Sequence, residues 1–168
     1  MKKLLQLSMM TLAIASLFMV GGCRSNKGAD WDSTLVGPGD TPQWGDSFSN
    51  LPRIDQYFTP VYFAFDDYQL NSAEYGKMDA VIRFMQANNN AVLIVEGHCD
   101  ERGTIEYNLV LGEHRAQSVR SYMVNAGVSA DRIQTTSYGK ERPAVQGSGE
   151  DVWKMNRRGE FALYNRGR

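Results

Sequence analysis

The chain has 168 residues, with 18 basic and 19 acidic side chains that give a formal net charge of −1 at pH 7. This balance lacks the basic surplus expected of a protein that binds a phosphate backbone, so it argues against nucleic acid as a partner. Without residues 1–22, which hold two lysines and no acids, the charge becomes −3, within the ordinary range for a soluble domain.

The first 22 residues have the pattern of a secretory signal peptide. Lysines at positions 2 and 3 precede an apolar stretch from Leu4 to Val20. Two glycines then precede Cys23, and this arrangement resembles the bacterial lipobox, in which a peptidase cuts before a cysteine that becomes acylated. We therefore expect residues 1–22 to be removed and Cys23 to be acylated, with an uncleaved transmembrane anchor as the alternative. Arg24 follows where an aspartate would favour the inner membrane, so the outer membrane is the expected location.

Residues 23–60 are predicted to be the acylated cysteine and a flexible tether. Gly, Asp, Ser, Asn and Pro dominate, and no period of 2 or 3.6 persists. A relaxed chain of this kind has an end-to-end distance of roughly 30 to 35 Å. Trp31, Trp44 and Phe48 could pack on the folded domain or mark a partner motif, whereas incidental aromatics in a linker are the simpler interpretation.

Strand and helix patterns alternate over residues 61–168 and predict one folded domain. Apolar runs rich in β-branched and aromatic residues predict strands at 61–65, from 92, at 133–138 and at 161–164. Capping residues and apolar spacing predict helices after Leu70, from about Glu106 to Asn125 and around Glu150–Asn156. The order β-α-β-α-β-(α)-β indicates a two-layer sandwich of the α+β or α/β class. A mixed sheet forms one layer, and the helices pack on one face of it.

The central helix carries two adjacent stripes of side chains. The predicted core stripe consists of Leu109, Gly112, Ala116, Val119 and Met123. The neighbouring stripe consists of Asn108, Leu111, Arg115, Ser118 and Tyr122. Asp100 lies in the charged loop before the helix, so it can meet Arg115 where the loop joins the helix. Such a pair suits a zwitterionic ligand, in which Arg115 binds the carboxylate in bidentate fashion and Asp100 binds the ammonium. The alternative is a structural salt bridge between Asp100 and Arg115.

The loop and the helix together carry a family signature. Gly97–Asn108 reads GHCDERGTIEYN, and Leu111–Ala116 reads LGEHRA. This pattern resembles the peptidoglycan-binding signature of OmpA-like domains, most closely those of peptidoglycan-associated lipoproteins, over the whole of residues 61–164. The resemblance implies non-covalent binding of the peptide stem of peptidoglycan, through diaminopimelate, with Asp100 and Arg115 gripping its free amino-acid end. Alanine at either position is then expected to abolish binding and to leave the fold intact.

The same resemblance implies further contacts and partners. Supporting ligand contacts carry over to Phe65, Asp66, Arg102, Asn108, Leu111 and Arg157. A lipoprotein of this kind links the outer membrane to the cell wall as part of a Tol system for envelope integrity and cell division. The implied partners are peptidoglycan, the outer membrane through the lipid anchor, and the Tol proteins TolB and TolA. The resemblance implies no enzyme activity and no cofactor.

Two residues depart from the family pattern. His114 stands where a second arginine is common, and it is expected to face solvent or a partner. Cys99 stands where a small residue is common. With Cys23 acylated, Cys99 has no partner for an intrachain disulfide, and we expect a packed thiol.

Enzymatic alternatives depend on the same segment. The ligand types in His98, Cys99, Asp100 and His114 suffice for zinc, and strand alternation could place His98 and Asp100 on one face. A periplasmic metal-dependent peptidoglycan amidase is therefore the second hypothesis. The chain lacks H-E-x-x-H and C-x-x-C spacing, and this argues against a metal site. A hydrolase that used Cys99 as its nucleophile would lack an obvious oxyanion hole.

Overall fold

The computed structural model describes residues 48–167, and the predictions for the signal peptide, Cys23, Trp31 and Trp44 lie outside them. The described elements are strand β1 (Val61–Tyr62), a 3-10 turn (Ser72–Glu74), helix α1 (Tyr75–Ala87), strand β2 (Ala91–His98), helix α2 (Ile105–Asn125), a 3-10 turn (Ala130–Arg132), strand β3 (Ile133–Gly139), helix α3 (Glu150–Asn156) and strand β4 (Arg158–Asn165). Within this part of the chain, no helix has the length and apolar character needed to cross a membrane.

The four strands form one mixed sheet in the order β1-β4-β2-β3. β2 and β3 run parallel, whereas β4 is antiparallel to both of its neighbours, β1 and β2. A parallel pair needs a long crossover connection, and α2 provides it. The alternation of strands and helices and the mixed sheet confirm the predicted fold class.

Helices α1 and α2 cover one face of the sheet and share its apolar core. The buried core includes Met78, Val81 and Met85 of α1, Ala116, Val119 and Met123 of α2, and Leu93, Val95, Phe161 and Leu163 of the sheet. Each larger apolar side chain buried in this way contributes roughly 1.5 to 3 kcal/mol. The core stripe prediction is wrong at Leu109, which is 37% exposed. The first turn of α2 directs Asn108 inward instead, where it bonds the preceding loop.

Strand β1 is shorter than the predicted strand at residues 61–65. Its pairing with β4 covers only Val61 and Tyr62. Asp66 has a φ of 53°, in the left-handed region that an extended strand does not contain. The chain therefore leaves the sheet after β1 and carries Phe65 and Asp66 toward α2.

Residues 48–58, which the sequence predicts to be part of the tether, pack on the folded domain. Phe48 is buried on the face opposite the helices, in an apolar cluster with Val92, Ile94 and Ala162. The backbone N–H of Ile54 donates to the Leu163 carbonyl at 2.9 Å, which fixes the segment along β4. Of the alternatives raised for Phe48, the structure shows packing on the domain. The packed region therefore extends at least to residue 48.

Helix α2 approaches β2 closely because two glycines face each other. A Cβ on Gly97 would lie 2.6 Å from the carbonyl carbon of Gly112 and would overlap its oxygen. A Cβ on Gly112 would overlap the hydroxyl oxygen of Ser137 on β3. This contact of bare backbone places the third turn of α2 directly over the end of β2, close to where the charged loop begins.

Candidate ligand-binding site

A cavity of about 430 Å³ lies between the loop after β2, the first turns of α2 and residues 65–66. Its lining consists of Phe65, Asp66, Cys99, Asp100, Arg102, Gly103, Thr104, Tyr107, Asn108, Leu111 and Arg115. Seven of the eight predicted ligand contacts line it, and the eighth, Arg157, contacts Asp100 without lining the cavity. The structure therefore brings the predicted residues together, while their role toward a ligand stays a prediction.

Asp100 is the buried carboxylate of the cavity, with only 5% of its surface exposed. Its Oδ1 accepts from the backbone N–H and the Nε of Arg102 at 3.1 and 3.0 Å. Its Oδ2 accepts from Nη2 of Arg102 at 2.6 Å and from Nη1 of Arg157 at 3.3 Å. Burial by itself would raise the pKa of Asp100, but these hydrogen bonds and the charge of Arg102 lower it below its ordinary value. Asp100 is thus ionised and pairs with these two arginines, so the alternative of an Asp100–Arg115 salt bridge is wrong.

Arg115 is a fully buried cation whose protein partners are neutral. Its Nε donates to the carbonyl of Asp67 at 2.8 Å and its Nη2 to the carbonyl of Ala64 at 3.1 Å. Its Nη1 donates to the carbonyl of His98 at 2.9 Å and to the sulfur of Cys99 at 3.4 Å. Burial lowers the pKa of Arg115, but a guanidinium stays protonated in proteins. The positive charge therefore remains available to a ligand.

The hydrogen bonds of Arg115 also limit the predicted bidentate binding of a ligand carboxylate. An arginine side chain has five N–H donors. Four of those in Arg115 already meet protein acceptors, which leaves one hydrogen on Nη2. A ligand carboxylate can accept that donor directly, and a bidentate fork requires Arg115 to give up a protein contact.

We expect Arg115→Ala to destabilise the fold, which contradicts the expectation from sequence that truncation leaves it intact. The carbonyls of Asp67, His98 and Ala64 would each lose a donor. A buried acceptor left unsatisfied costs about 1 to 3 kcal/mol. The free energy of unfolding in urea should fall by about 3 kcal/mol, since solvent can reach some of these groups. Wild-type stability in this variant would show that water replaces the guanidinium at no cost.

Arg102 is held between two aromatic rings. Its guanidinium carbon lies 3.9 Å from the ring centroid of Phe65 and 4.0 Å from that of Trp153. Trp153 is itself fixed, because its indole N–H donates to Glu101 at 3.0 Å. Cation–π contacts of this kind stabilise by about 0.5 to 2 kcal/mol each. The two rings therefore hold Arg102 on Asp100 and connect the loop to α3.

Asn108 uses its amide to hold the loop. Its Nδ2 donates to the carbonyls of Arg102 and Thr104 at 2.7 and 2.8 Å. Thr104 caps α2, since its hydroxyl accepts from the backbone N–H of Tyr107 at 3.2 Å. Leu111 contributes the apolar part of the same helix wall. Asn108 therefore shapes the cavity through the backbone it binds.

Four lining residues are not among the predicted ligand contacts, and these are Cys99, Gly103, Thr104 and Tyr107. The phenol O–H of Tyr107 donates to Asp66 and closes one side of the cavity. All four lie in the loop or the first turn of α2. The N-cap pattern at Thr104 was a usable signal, because it places the whole first turn beside the loop.

Cys99 is a packed thiol, as predicted. Its Sγ donates to the carbonyl of Asn108 at 3.3 Å and accepts from Arg115. Burial raises the pKa of Cys99 to about 11. The thiolate, which is the nucleophilic form, is therefore scarce at neutral pH, and this argues against a cysteine hydrolase.

The four residues considered for zinc do not converge. His98 projects to the helix-free face, where its ring lies 5.4 Å from that of Tyr138, whereas Cys99 and Asp100 line the cavity. His114 is exposed, as predicted, and its ring lies 5.3 Å from that of Tyr68. β2 ends at His98, so strand alternation does not continue to Asp100. The metal site composed of these four residues is therefore contradicted.

Comparisons with known proteins add a family context. Residues 62–157 match the OmpA family. The peptidoglycan-associated lipoprotein of Haemophilus influenzae is 41% identical over 113 residues, which cover 67% of this chain and 74% of that protein. The peptidoglycan-associated lipoprotein of Pasteurella multocida is 35% identical over 157 residues, which cover 94% of this chain and 98% of that protein. The crystal structure of the peptidoglycan-associated lipoprotein from Burkholderia pseudomallei aligns with a TM-score of 0.60 at 34% identity, over 62% of this chain and 88% of the other.

Proposed function

The chain belongs to the OmpA family as a relative of the peptidoglycan-associated lipoproteins, and from this membership we propose that it binds peptidoglycan without covalent chemistry. The ligand is the peptide stem, whose diaminopimelate places its free amino-acid end in the cavity. Asp100 receives the ammonium and Arg115 the carboxylate. The remaining ligand contacts are formed by Phe65, Asp66, Arg102 and Leu111. Asn108 holds the backbone of the loop, and Arg157 holds the carboxylate of Asp100.

The observation that carries this proposal is the separation of opposite charges within one cavity. Asp100 is an ionised acceptor at one side. Arg115 is a cation whose hydrogen-bond partners are all neutral. Because these two charges do not pair with each other, a ligand that carries an ammonium and a carboxylate on one carbon matches both.

Ligand binding requires Asp100 to exchange one partner. The side chain of Arg102 is 31% exposed, whereas that of Arg157 is 6% exposed. Arg102 is the more exposed partner, so its Nη2 can yield Oδ2 to a ligand ammonium while Phe65 and Trp153 keep the guanidinium beside the cavity. The released guanidinium can then meet the ligand carboxylate, which gives Arg102 a direct role in recognition.

Sedimentation with purified sacculi tests the proposal. We expect the full chain to sediment with sacculi and a soluble stem peptide containing diaminopimelate to release it, because both occupy one cavity. The same peptide with that amine acetylated and that carboxylate amidated should fail to compete. Release of soluble muropeptides that stops on adding a chelator would instead support the amidase hypothesis and overturn a purely binding role.

We place the protein in the outer membrane, with its domain in the periplasm. In this proposal residues 1–22 are the signal peptide, Cys23 carries the acyl chains, a tether follows and the domain extends to residue 168. The anchor keeps the domain near the wall, so the effective concentration of binding sites is high and modest affinity suffices. TolB and TolA are the proposed protein partners, in a system that maintains envelope integrity and supports cell division.

The anchor prediction is tested by Cys23→Ser, which should abolish incorporation of labelled palmitate. The variant should accumulate as an unprocessed precursor in the inner membrane, because no thiol remains to be acylated. Cys99→Ser is the matched control and should incorporate label at the wild-type level, since the Cys99 thiol is buried in the domain. Label retained by Cys23→Ser would rule out the lipobox.

A further inference from the structure

Three potential metal ligands meet on the helix-free face of the sheet. Glu96 and His98 alternate on β2, so their side chains project to the same face. Glu160 on β4 is the direct cross-strand partner of Glu96. One nitrogen or oxygen from each of the three side chains lies within 4.8 Å of the others. This cluster is separate from the ligand cavity and shares only His98 with the set considered from sequence.

His98 in this cluster is an unexplained buried polar group. Its residue is 2% exposed, and neither ring nitrogen has a hydrogen-bond partner among residues 48–167. The backbone of Arg142 approaches the ring, but not in the geometry of a full hydrogen bond. A neutral imidazole has a free lone pair, and this is the form that binds metal ions.

Two carboxylates and three arginines surround His98. Glu96 lies beside Glu160, and Arg53, Arg142 and Arg158 are the nearby cations. Arg158 donates its Nε to Oε1 of Glu160 at 2.5 Å, whereas no ion pair reaches Glu96 within the described chain. Arg53, Arg142 and Arg158 bring positive charge to this face and oppose a bound cation. The hydrogen bond from Arg158 uses one oxygen of Glu160, however, and an outer partner of this kind commonly orients a carboxylate ligand.

We propose that Glu96, His98 and Glu160 form a binding site for a divalent first-row transition ion such as Zn²⁺. One imidazole nitrogen and two carboxylate oxygens are a donor set that suits zinc, with a fourth position for water. A buried imidazole disfavours Mg²⁺ and Ca²⁺, which select oxygen ligands. The ion satisfies His98, relieves the repulsion between the carboxylates and joins β2 to β4.

The site also lies behind the ligand cavity. The side chain of His98 faces the cluster, while its backbone carbonyl accepts from Arg115 at 2.9 Å. An ion bound to the His98 ring therefore supports the end of β2 that holds Arg115. The consequence is a gain in domain stability when Zn²⁺ is present, because a ligand that binds only the folded state raises the melting temperature.

Titration of the full chain with Zn²⁺, after chelator treatment and dialysis, tests the site. Calorimetry should show saturable binding of one ion, and the melting temperature should rise by several degrees, whereas Mg²⁺ at the same concentration should shift it little. His98→Phe keeps a ring and removes both nitrogens, so its metal-free stability should match or exceed that of the wild type. Its Zn²⁺ affinity should fall at least about tenfold.

Glu160→Gln is the second variant, because Glu160 is partly exposed and its substitution should preserve the fold. It should also lose at least about tenfold in affinity. His114→Ala and Cys99→Ser are the controls and should bind Zn²⁺ like the wild type, since neither side chain reaches the cluster. Absence of binding to the wild-type chain would overturn the proposal, as would equal affinity in the wild type, His98→Phe and Glu160→Gln.

Discussion

The Asp100→Asn variant is expected to lose retention on sacculi while keeping the size and most of the hydrogen-bond geometry of the side chain. The substitution removes the negative charge that faces the ligand ammonium. A hydrogen bond to a charged group contributes about 1.5 to 3 kcal/mol, so affinity should fall by roughly 10- to 100-fold. The readout is the fraction of protein that sediments with sacculi over a titration of the polymer.

The matched control for this prediction is Asp131→Asn. Asp131 also pairs with an arginine, Arg166, but it is exposed and does not line the cavity. Its substitution should leave retention unchanged. Urea denaturation of Asp100→Asn should show a folded domain, because the oxygen of the introduced amide can still accept from the backbone N–H of Arg102. Equal retention of a folded Asp100→Asn and the wild type would remove Asp100 from the ligand site.

The lowered pKa of Asp100 also predicts how retention on sacculi depends on pH. Its carboxyl is held ionised below the ordinary carboxyl range by its arginine partners. Retention should therefore persist at about pH 5, above the ordinary aspartate pKa of about 3.9. The charge should be lost as the pH falls through the depressed folded-state pKa. The folding stability that the ion pairs provide should decline from the ordinary aspartate pKa down to that value.

Gly97→Ala is expected to have the largest effect on stability of any single methyl addition to the domain. The new Cβ would overlap the backbone oxygen of Gly112, and a helix backbone cannot give way as a flexible side chain can. Either α2 moves off β2 or the sheet distorts. We expect a loss of more than about 4 kcal/mol, a large share of the roughly 5 to 15 kcal/mol that stabilise a typical domain.

Gly76→Ala provides the control for this substitution. Gly76 lies in α1, and a Cβ there would meet nothing within 4 Å. Alanine should therefore stabilise the domain by roughly 0.5 to 1 kcal/mol, because glycine is a poor helix former. Chemical denaturation of both variants measures the difference. A loss under about 1 kcal/mol for Gly97→Ala would mean that the close approach of α2 to β2 can relax.

The sequence predicted the fold class because the main elements are long and periodic. β2 and α2 follow from an apolar run and from apolar spacing of three and four, and the structure confirms both. The errors fall where local pattern is weak. β1 ends early because Tyr62 pairs with Arg158, the first residue of β4, so residues 63–65 have no partner in that strand. Phe48 packs on the sheet although its neighbours in sequence have no period.

The same contrast applies to the candidate site. The family signature in residues 97–116, with the matching positions 65 and 66, identified seven residues that line one cavity, because the loop and the helix that carry most of them are consecutive in sequence. It could not show that the donors of Arg115 are largely occupied by backbone carbonyls. Two of those carbonyls come from the segment after β1, and their positions depend on how that segment leaves the sheet.

The sequence by itself determined the order of the elements, the charged residues of the loop after β2 and of α2, and the motif that predicts a lipid anchor. Each of these depends on residues close together in the chain. Only the tertiary structure decided which charges pair. Asp100 meets Arg157, which lies between α3 and β4, and Glu96 faces Glu160 across the β2–β4 register. Such partners are separated by more than 50 residues, and strand register and burial, which no local pattern specifies, bring them together.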